Sequence, residues 1–254
     1  MEQPPESLPP TPDSGTSTEK VEKEQTPNPE PPNPETHRGT RFSSILPAPF
    51  LRQQHIIIYG VGAVGRQLAL LMSQLPLGSL TLMDPDTASP ENLGPQGYHP
   101  SDVGLLKVAA TASQCVLRNP SLSLLSLPYA ATAPLTPDPL PTFGFLCVDK
   151  MSARASISKD CPYPLIDTRM ASGTFHLLTR NPLNPDPYTS TLFPDSEMLV
   201  EPCTGRSTPW CASACASMAM NLWSQHLRRI EYPSHLICNL NSLELFNHAP
   251  SHQS

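Results

Sequence analysis

The stretch that decides the fold runs from His55 to Asp84 and reads HIIIYGVGAVGRQLALLMSQLPLGSLTLMD. It consists of an apolar strand, a glycine motif, a helical run and a second apolar strand that ends on a carboxylate. Gly60 permits a tight turn, Gly62 lets the backbone approach a phosphate, and Gly65 lets the following helix pack against the strand. The N-terminus of that helix offers unpaired N–H donors to an anion. This order of elements favours a nucleotide-binding βαβ unit over a purely structural glycine turn.

Strand and helix signals alternate along the chain from Arg41 onward. The predicted strands are 55–60, 79–84, 122–127, 143–149 and 164–168, and the predicted helices are 63–76, 102–118, 151–159 and 209–230. Two later apolar stretches, His235 to Leu240 and Ser242 to Phe246, predict a closing hairpin. The fold class is therefore α/β and Rossmann-like, with a mainly parallel sheet, helices on both faces and a C-terminal antiparallel extension. Such sheets bind ligands at the carboxyl ends of their strands.

The first forty residues differ in composition from the rest of the chain. They contain ten prolines, eight acidic residues and three basic residues, a net charge of −5 out of −6 for the whole chain. Such a segment has too little apolar surface to join a core, so residues 1–40 are predicted to be a disordered Pro- and Glu-rich tail. A docking motif for a proline-reading domain is the alternative. Residues 41–254 are expected to form one nucleotide-binding domain.

Several classes of protein are disfavoured by composition. The chain has no apolar run of about 18 residues and no N-terminal signal pattern, so neither a membrane span nor secretion is expected. The part after the tail has no basic cluster, which disfavours nucleic-acid binding. Seven cysteines lie scattered without a CxxC pair or a Cys/His cluster. This pattern predicts a reduced, cytoplasmic protein without structural zinc.

Polar residues follow the second predicted strand, where a ligand is expected. Asp84 ends that strand where a carboxylate accepts hydrogen bonds from a ribose, such as that of ATP or NAD. Asp86 and Asn92 lie in the loop beyond it, and a solvated loop charge is the alternative for Asp86. Lys107 lies in the next predicted helix, in a segment with few other charges. Whether it contacts phosphates or only keeps the surface soluble depends on where that helix points.

A second acidic candidate follows the fourth predicted strand. The apolar run FGFLCVD ends on Asp149. Mg²⁺ prefers one or two carboxylates together with phosphate oxygens, so Asp149 is a candidate magnesium ligand. A helix N-cap is the alternative and is compatible with metal binding. Arg154, five residues further on, is expected to pair with a carboxylate or a phosphate, or to form a surface ion pair.

Several motifs together carry a resemblance to a known family. They are the glycine motif, Asp84-Pro-Asp86, Asn92-Leu-Gly-Pro95-Gln96, Gly104-Leu-Leu-Lys107 and Asp149-Lys-Met-Ser-Ala-Arg154. Further on, PLIDTRMASGTFHLL resembles the family's segment before a sheet-extending strand. EPCTGRSTPWCASACASMAMNLW resembles its crossover loop and the helix behind it. Over about residues 41–248 the chain resembles the ThiF/MoeB/HesA group of adenylating enzymes, which are relatives of the ubiquitin-activating enzymes.

The resemblance implies an ATP-dependent adenylyltransferase that activates the C-terminal carboxylate of a small ubiquitin-like or sulfur-carrier protein. The ATP-binding residues that it implies are Gly60, Gly62, Gly65, Asp84, Asp86, Asn92, Lys107 and Asp149, with Mg²⁺ on Asp149. Cys203 falls where several members keep a cysteine that takes the activated acyl group or attacks a thiocarboxylate. That role requires a thiolate, and an inert loop thiol is the alternative. The implied catalytic residues are therefore Cys203, Asp149 and Lys107, in a protein that is expected to form a homodimer.

Two positions depart from the family pattern. Pro95 stands where a loop arginine is expected, and Ser44 stands where an earlier phrase has a second arginine. Losing a donor that stabilises charge developing on the triphosphate costs on the order of 10²-fold in rate. Two other functions therefore stay open: a catalytically impaired member that binds a nucleotide or a partner, and an NAD-dependent oxidoreductase. Arg41, Arg52 and Arg66 are candidates to replace the missing charge.

Overall fold

The computed structural model describes residues 37–136, 139–197 and 207–248. These residues build an eight-stranded sheet in the order β3-β2-β1-β4-β5-β6-β7-β8. The strands are β1 His55–Tyr59, β2 Ser79–Met83, β3 Ser123–Leu127, β4 Thr142–Leu146, β5 Leu165–Ala171, β6 Thr174–Arg180, β7 His235–Asn239 and β8 Glu244–His248. The α-helices are α1 Ala48–Leu51, α2 Ala63–Met72, α3 Leu93–Gln96, α4 Lys107–Arg118, α5 Met151–Ser158, α6 Asp186–Thr189 and α7 Pro209–Leu227. Short 3₁₀ turns lie at Thr40–Phe42, Pro90–Asn92, Pro100–Asp102 and Asp195–Glu197.

The first five strands run parallel, as their alternation with helices predicts. β1 lies between β2 and β4, and His55 is opposite Ser79 on one side and Thr142 on the other. β3 extends the sheet beyond β2, and β5 extends it beyond β4. Helices α2 and α4 pack on one face of the sheet, and α5 packs on the other. The winding therefore reverses between β1 and β4, at the kind of position where open α/β sheets bind ligands.

Alternate residues of the central strand feed two separate cores. Ile56 and Ile58 face the core that includes α2, α4 and α7, whereas Ile57 and Tyr59 face the core that includes α5. All of these side chains are fully buried. A parallel strand covered on both faces is a continuous apolar run rather than an alternating one. This burial on both faces accounts for the composition of HIIIY.

The carboxyl-terminal part of the sheet is antiparallel. β5 turns back into β6 at Ser172 and Gly173, and β7 and β8 extend the sheet beyond β6. Ser172 has a φ of 53°, in the left-handed region. The pair of β7 and β8 confirms the predicted closing hairpin. Strand β6 is not predicted by the hydrophobic pattern, and only the family resemblance indicates a sheet-extending strand there. The predicted α/β, Rossmann-like fold class is confirmed.

The boundary of β4 differs from the prediction at a position that matters for function. The strand ends at Leu146, so Asp149 lies three residues beyond the strand instead of ending it. The parallel ladder stops because its neighbour β1 ends at Tyr59 and gives way to the glycine turn. The predicted N-cap role of Asp149 is also wrong. Lys150 is the N-cap residue of α5, and its side chain makes no capping hydrogen bond.

The helix predicted for 102–118 begins later, at Lys107. Gly104 has a φ of 88°, and this left-handed conformation interrupts a helix. Lys107 is therefore the first residue of α4 and lies at the edge of the sheet. The predicted helices 63–76 and 209–230 end earlier than expected, and the other predicted strands begin within one residue of their observed starts.

Part of the predicted tail lies within the described residues. Arg38 donates a hydrogen bond to the backbone oxygen of Arg118 at 3.0 Å, so this end of the tail contacts the domain. The rest of the tail, residues 1–36, lies outside the described residues. In the described ranges, no helix is long and apolar enough to cross a membrane.

The second and third glycines of the motif form a matched pair for a stability experiment. A Cβ on Gly65 would lie 1.9 Å from the Gly60 carbonyl oxygen, whereas a Cβ on Gly62 would meet no atom within 4 Å. We expect Gly65→Ala to lower the free energy of unfolding by about 1–3 kcal/mol, because α2 must move away from β1. Gly62→Ala should stay within about 0.5 kcal/mol of wild type. Urea unfolding followed by circular dichroism checks both variants, and equal stability would contradict this account of the packing.

Candidate nucleotide site

The carboxyl ends of β1, β2 and β4 meet at the glycine turn. The Gly60 N–H donates to the Met83 carbonyl oxygen at 2.7 Å, and the Cys147 N–H donates to the Tyr59 carbonyl oxygen at 2.7 Å. Gly60 has a φ of 87°, and a Cβ there would lie 2.6 Å from the Cys147 carbonyl oxygen. Glycine is therefore required at this position both by backbone conformation and by space.

The start of α2 is open on the side of the turn. Gly62 is the N-cap residue and supplies no side-chain hydrogen bond. The first N–H groups of a helix have no partner within the helix, and they carry a partial positive charge. Because a Cβ on Gly62 would meet no atom within 4 Å, there is room for a ligand to approach this backbone. Both properties suit a phosphate group.

Asp84 joins the glycine turn to the end of β2. Its Oδ2 accepts a hydrogen bond from the Val61 N–H at 2.8 Å, and its Oδ1 accepts one from the Asp86 N–H at 2.8 Å. Burial raises the pKa of the Asp84 carboxyl, while these two N–H donors and Lys107 favour its charged form. Asp84 thus holds the turn in place. Contact with a ribose, as implied by the family resemblance, stays a prediction.

Lys107 and Asp86 form an ion pair beside Asp84. Lys107 Nζ lies 2.9 Å from Asp86 Oδ2, and the Lys107 N–H donates to the Asp86 carbonyl oxygen at 2.9 Å. The lysine side chain is only 8% exposed, whereas the aspartate side chain is 61% exposed. Asp86 is therefore more than a solvated loop charge, since it holds the lysine at the sheet edge. An ammonium group has three N–H donors, so Lys107 keeps donors for other acceptors while it is paired with Asp86.

Asn92 stabilises the loop that follows Asp86. Its Oδ1 accepts hydrogen bonds from the Ser89 N–H and the Ser89 hydroxyl, each at 3.0 Å. Tyr98, further along the loop, donates its hydroxyl to the Val61 carbonyl oxygen at 2.7 Å. The loop is thereby fixed to the glycine turn. The role of Asn92 in ATP binding stays a prediction, as its amide oxygen is engaged within the loop.

Asp149 lies at the same edge of the sheet, on the β4 side of the turn. Its side chain is exposed, and no protein group donates to it among the described residues. A Cβ on Gly60 would lie 3.1 Å from the backbone nitrogen of Val148, the residue before Asp149. Asp149 is therefore an exposed residue that follows a residue packed against the glycine turn. Its role as a magnesium ligand stays a prediction.

Arg154 is buried rather than part of a surface ion pair. Its Nη1 lies 2.7 Å from Asp167 Oδ1, and its Nη2 donates to the carbonyl oxygens of Val148 and Thr168. Asp167 is fully buried and also accepts from Arg169. Neither Asp167 nor Arg169 was predicted from the sequence. Asp167 directly follows the apolar residues of PLID in a predicted strand. A carboxylate in such a position indicates a buried charge that is paired with another group.

The candidate replacement arginines do not share one location. Arg52 lies at the amino end of the strands, because its carbonyl oxygen would be 2.4 Å from a Cβ on Gly78, just before β2. Arg41 follows Gly39, which packs near Pro76 after the end of α2. Both arginines therefore lie at the edge opposite the glycine turn. The structure does not bring them to the site.

Arg66, in contrast, extends from α2 near the glycine turn. Its guanidinium lies 4.6 Å from the centre of the Tyr98 ring, and the residue is 2% exposed. Within the described part of the chain, its buried Nε has no hydrogen-bond partner. Burial lowers the pKa of Arg66. A Cβ on Gly97 would lie 3.7 Å from its Nη1, so Arg66 borders the end of α3, the short helix that contains Pro95.

Burial disfavours the thiolate form of the six described cysteines. All six are free thiols. Burial raises the pKa of Cys147 to about 12, and the pKa values of Cys115 and Cys211 to about 11. Burial also raises the pKa values of Cys161, Cys215 and Cys238. Cys203 and its neighbour Arg206 lie outside the described residues.

A model of the ThiF family matches residues 49–250. The chain belongs to the ThiF family. Ubiquitin-like modifier-activating enzyme 5 of Aedes aegypti is 29% identical over 125 residues, which cover 44% of this chain and 32% of that protein. The protein of the same name from Caenorhabditis elegans is 28% identical over 127 residues, which cover 44% and 30%. The chain therefore spans about a third of the length of these relatives.

Solved structures of low sequence identity share the fold of this ThiF protein. A crystal structure of PaaA has a TM-score of 0.64 at 19% identity, and the match covers 90% of this chain and 77% of PaaA. Escherichia coli MccB crystallised with ATP has a TM-score of 0.61 at 12% identity, over 84% of this chain and 71% of MccB. At such identities the likeness concerns the fold, and it agrees with the observed sheet.

The raised thiol pKa values predict slow alkylation of this ThiF protein. Because only the thiolate reacts, we expect the six described cysteines to react with iodoacetamide at neutral pH at least about 10-fold more slowly than in urea. Peptide mass spectrometry of folded and unfolded samples measures this difference site by site. Rapid alkylation of Cys147 or Cys115 in the folded protein would contradict the prediction. A Cys203→Ser variant separates the contribution of the seventh thiol.

Proposed function

We propose that this ThiF protein is an ATP-dependent adenylyltransferase that activates the C-terminal carboxylate of a small ubiquitin-like or sulfur-carrier protein. The observation that carries the proposal is the grouping at one sheet edge of Asp84 on the glycine turn, the Lys107–Asp86 pair and the exposed Asp149. Family membership supports the reaction class. The likeness to ubiquitin-like modifier-activating enzyme 5 supports a ubiquitin-like carrier.

The residues at this edge fit ATP and Mg²⁺ in their chemistry. The open backbone at Gly62 and the N–H groups of α2 suit a phosphate, and the ribose is assigned to Asp84. Lys107 supplies positive charge that Asp86 holds in position. Asp149 is exposed, and its carboxylate oxygens are ligands of the type that Mg²⁺ prefers. When bound, Mg²⁺ would neutralise part of the triphosphate charge.

In the proposed reaction, a carboxylate oxygen of the carrier attacks the α-phosphorus of ATP. The bond from that phosphorus to the bridging oxygen breaks, and pyrophosphate leaves with the electron pair, so an acyl-adenylate remains. The chain contributes by orienting the phosphates along the start of α2 and by placing Lys107 where negative charge develops. No side chain has to move a proton, since the attacking carboxylate is already ionised.

A thiol step after adenylation is assigned to Cys203. The high pKa values of Cys147, Cys115 and Cys211 disfavour these thiols as nucleophiles at neutral pH. A nucleophilic cysteine needs an accessible thiolate, and nearby positive charge lowers a thiol pKa. Arg206, close in sequence to Cys203, would supply that charge.

A catalytically impaired member that binds ATP or a partner is the second candidate. It is favoured by Pro95 and Ser44, which stand where the family resemblance places arginines. Both oxygens of Asp84 and the amide oxygen of Asn92 are also engaged within the protein.

A nicotinamide-dependent oxidoreductase is the third candidate, but it gives no role to Lys107. Parallel titrations with NADH and with Mg-ATP separate the last candidate from the first two.

Calorimetric titration with Mg-ATP and ATP–pyrophosphate exchange test the proposal. Exchange is measured with ubiquitin-like modifiers that end in glycine, added one at a time. We expect Asp149→Ala to reduce exchange by about 10²-fold or more because the magnesium ligand is lost. Glu231→Ala, which removes an exposed carboxylate between α7 and β7, is the matched control and should leave exchange unchanged. ATP binding without exchange, insensitive to Asp149→Ala, would favour the impaired member instead.

The positions of the arginines predict which one supports the reaction. Arg66 borders the glycine turn and the end of α3, which contains Pro95, whereas Arg41 and Arg52 lie at the opposite edge. We expect Arg66→Gln to lower the rate of exchange by about 10²-fold, with Arg66→Lys between this variant and wild type. Arg41→Gln and Arg52→Gln should retain full exchange. Urea unfolding of each variant controls for stability, and a loss of exchange in Arg52→Gln alone would contradict this assignment.

A further inference from the structure

The turn that carries Asp149 is tied by side chains to a distant segment of the chain, residues 188–197. We propose that Asp167 and Asp195 are positioning residues that hold this turn through two separate sets of hydrogen bonds, and so set the site for Mg²⁺. The inference rests on the proposed function for the identity of the ligand. The two ties themselves are hydrogen bonds seen in the structure.

The first tie is a buried charge cluster around Asp167 on β5. Asp167 is fully buried and accepts from Arg154 Nη1 at 2.7 Å, Arg169 Nε at 2.8 Å and the Tyr188 hydroxyl at 3.1 Å. Removing one partner from such a cluster leaves an uncompensated buried charge. Each of the three partners is therefore fixed in position by the carboxylate that they share.

Arg154 links Asp167 to the turn before α5. Its Nη2 donates to the Val148 carbonyl oxygen, and Val148 directly precedes Asp149. The same nitrogen donates to the Thr168 carbonyl oxygen at 3.2 Å. One guanidinium thus links the turn beyond β4 to the neighbouring strand β5. Arg154 therefore fixes the backbone next to Asp149 and, with it, the position of the Asp149 carboxylate.

Arg169 links Asp167 to the 188–197 segment. Its Nη1 donates to the Thr191 carbonyl oxygen at 2.9 Å, and its Nη2 donates to the Thr191 hydroxyl oxygen at 2.9 Å. The Tyr188 ring lies 5.9 Å from the guanidinium carbon. Arg169 therefore contacts two positions of the segment while its Nε remains on Asp167.

The second tie is at the surface and involves the same segment. Asp195 Oδ1 accepts from the Ser152 N–H at 3.1 Å, and Asp195 Oδ2 accepts from the Ser152 hydroxyl at 2.6 Å. Ser152 is in the first turn of α5, three residues after Asp149. A carboxylate is favourable there because the first N–H groups of a helix are unpaired and carry partial positive charge. Asp195 thus supplies from a distance the cap that Lys150 does not.

The two ties contact the Asp149 turn from both sides. Arg154 holds Val148 before Asp149, and Asp195 holds Ser152 after it. The residues that support a metal ligand typically change metal affinity by about 10–100-fold when they are replaced. Loosening either tie should therefore weaken the Mg²⁺-dependent part of ATP binding, while the affinity for ATP without metal stays the same.

The test uses the full chain with Asp195→Ala at the surface tie and Arg169→Gln at the buried one. Glu197→Ala, in the same 3₁₀ turn as Asp195, is the matched control. Binding of a non-hydrolysable ATP analogue is titrated by calorimetry with and without Mg²⁺. We expect the Mg²⁺ concentration at half-maximal binding to rise about 10-fold in the two variants and to stay unchanged in the control. Asp195→Asn keeps an acceptor for Ser152 and should restore part of the loss.

Hydrogen exchange of the backbone amides of residues 149–152 gives a second readout that needs no nucleotide. Faster exchange of these amides in Asp195→Ala and Arg169→Gln, with the remaining core unchanged, supports the two ties. Unchanged exchange in both variants overturns the coupling. If wild type binds no Mg-ATP while the amides exchange faster, the proposed function fails and the ties stand. If wild type binds Mg-ATP but neither variant changes its Mg²⁺ dependence, the positioning role is wrong.

Discussion

The Asp84 carboxylate holds together the backbone around which the rest of the site is arranged. It accepts N–H groups from Val61, in the turn after β1, and from Asp86, in the loop after β2. Hydrogen bonds to a charged group contribute about 1.5–3 kcal/mol each. Burial raises the pKa of this carboxyl, and the two N–H donors oppose that shift by favouring the charged form. The glycine turn, the position of Asp86 and, through it, that of Lys107 all depend on this one anion.

A second buried carboxylate has the corresponding role on the other side of the site. Asp167 lies on β5, separated from β1 by β4, and its partners reach both the Asp149 turn and the 188–197 segment. Each carboxylate binds one donor that is two residues away in sequence and at least one donor that is distant. The central strands β1, β2 and β4 supply a rigid frame, since their residues are buried on both faces. Contacts of charged residues, together with apolar packing, order the segment before Lys107 and the turn that carries Asp149 on this frame.

The sequence predicted the elements better than it predicted their ends. The glycine motif and the apolar runs predicted β1, α2 and β2, because these depend on short-range periodicity and on backbone freedom. Asp149 lies beyond its strand, since the length of β4 is limited by where β1 stops pairing with it. Lys107 starts its helix because of the left-handed Gly104, which apolar periodicity does not reveal. Both errors fall at the site, where loops replace regular structure.

The partners of the charged residues were harder to foresee than their positions. From sequence, Arg154 was expected to pair with a carboxylate or a phosphate, or to form a surface ion pair. The carboxylate is Asp167, 13 residues away, and the pair is buried. Asp195 caps α5 from 43 residues away, and no local pattern marks it. The two arginine candidates at the amino end of the strands, Arg41 and Arg52, were indistinguishable in sequence from Arg66. Burial of a charge and the choice of its partner follow from the packing of whole elements.

The sequence by itself determined the α/β fold, the glycine turn and the carboxylate that follows β2, because each depends on periodicity, on backbone conformation or on the direct succession of elements. Only the tertiary structure decided that Asp84 clamps that turn, that Lys107 pairs with Asp86, and that the Asp149 turn is held from the 188–197 segment. These features join residues far apart in the chain. Their energy comes from hydrogen bonds to buried or helix-capping charges, which exist only once the strands have assembled.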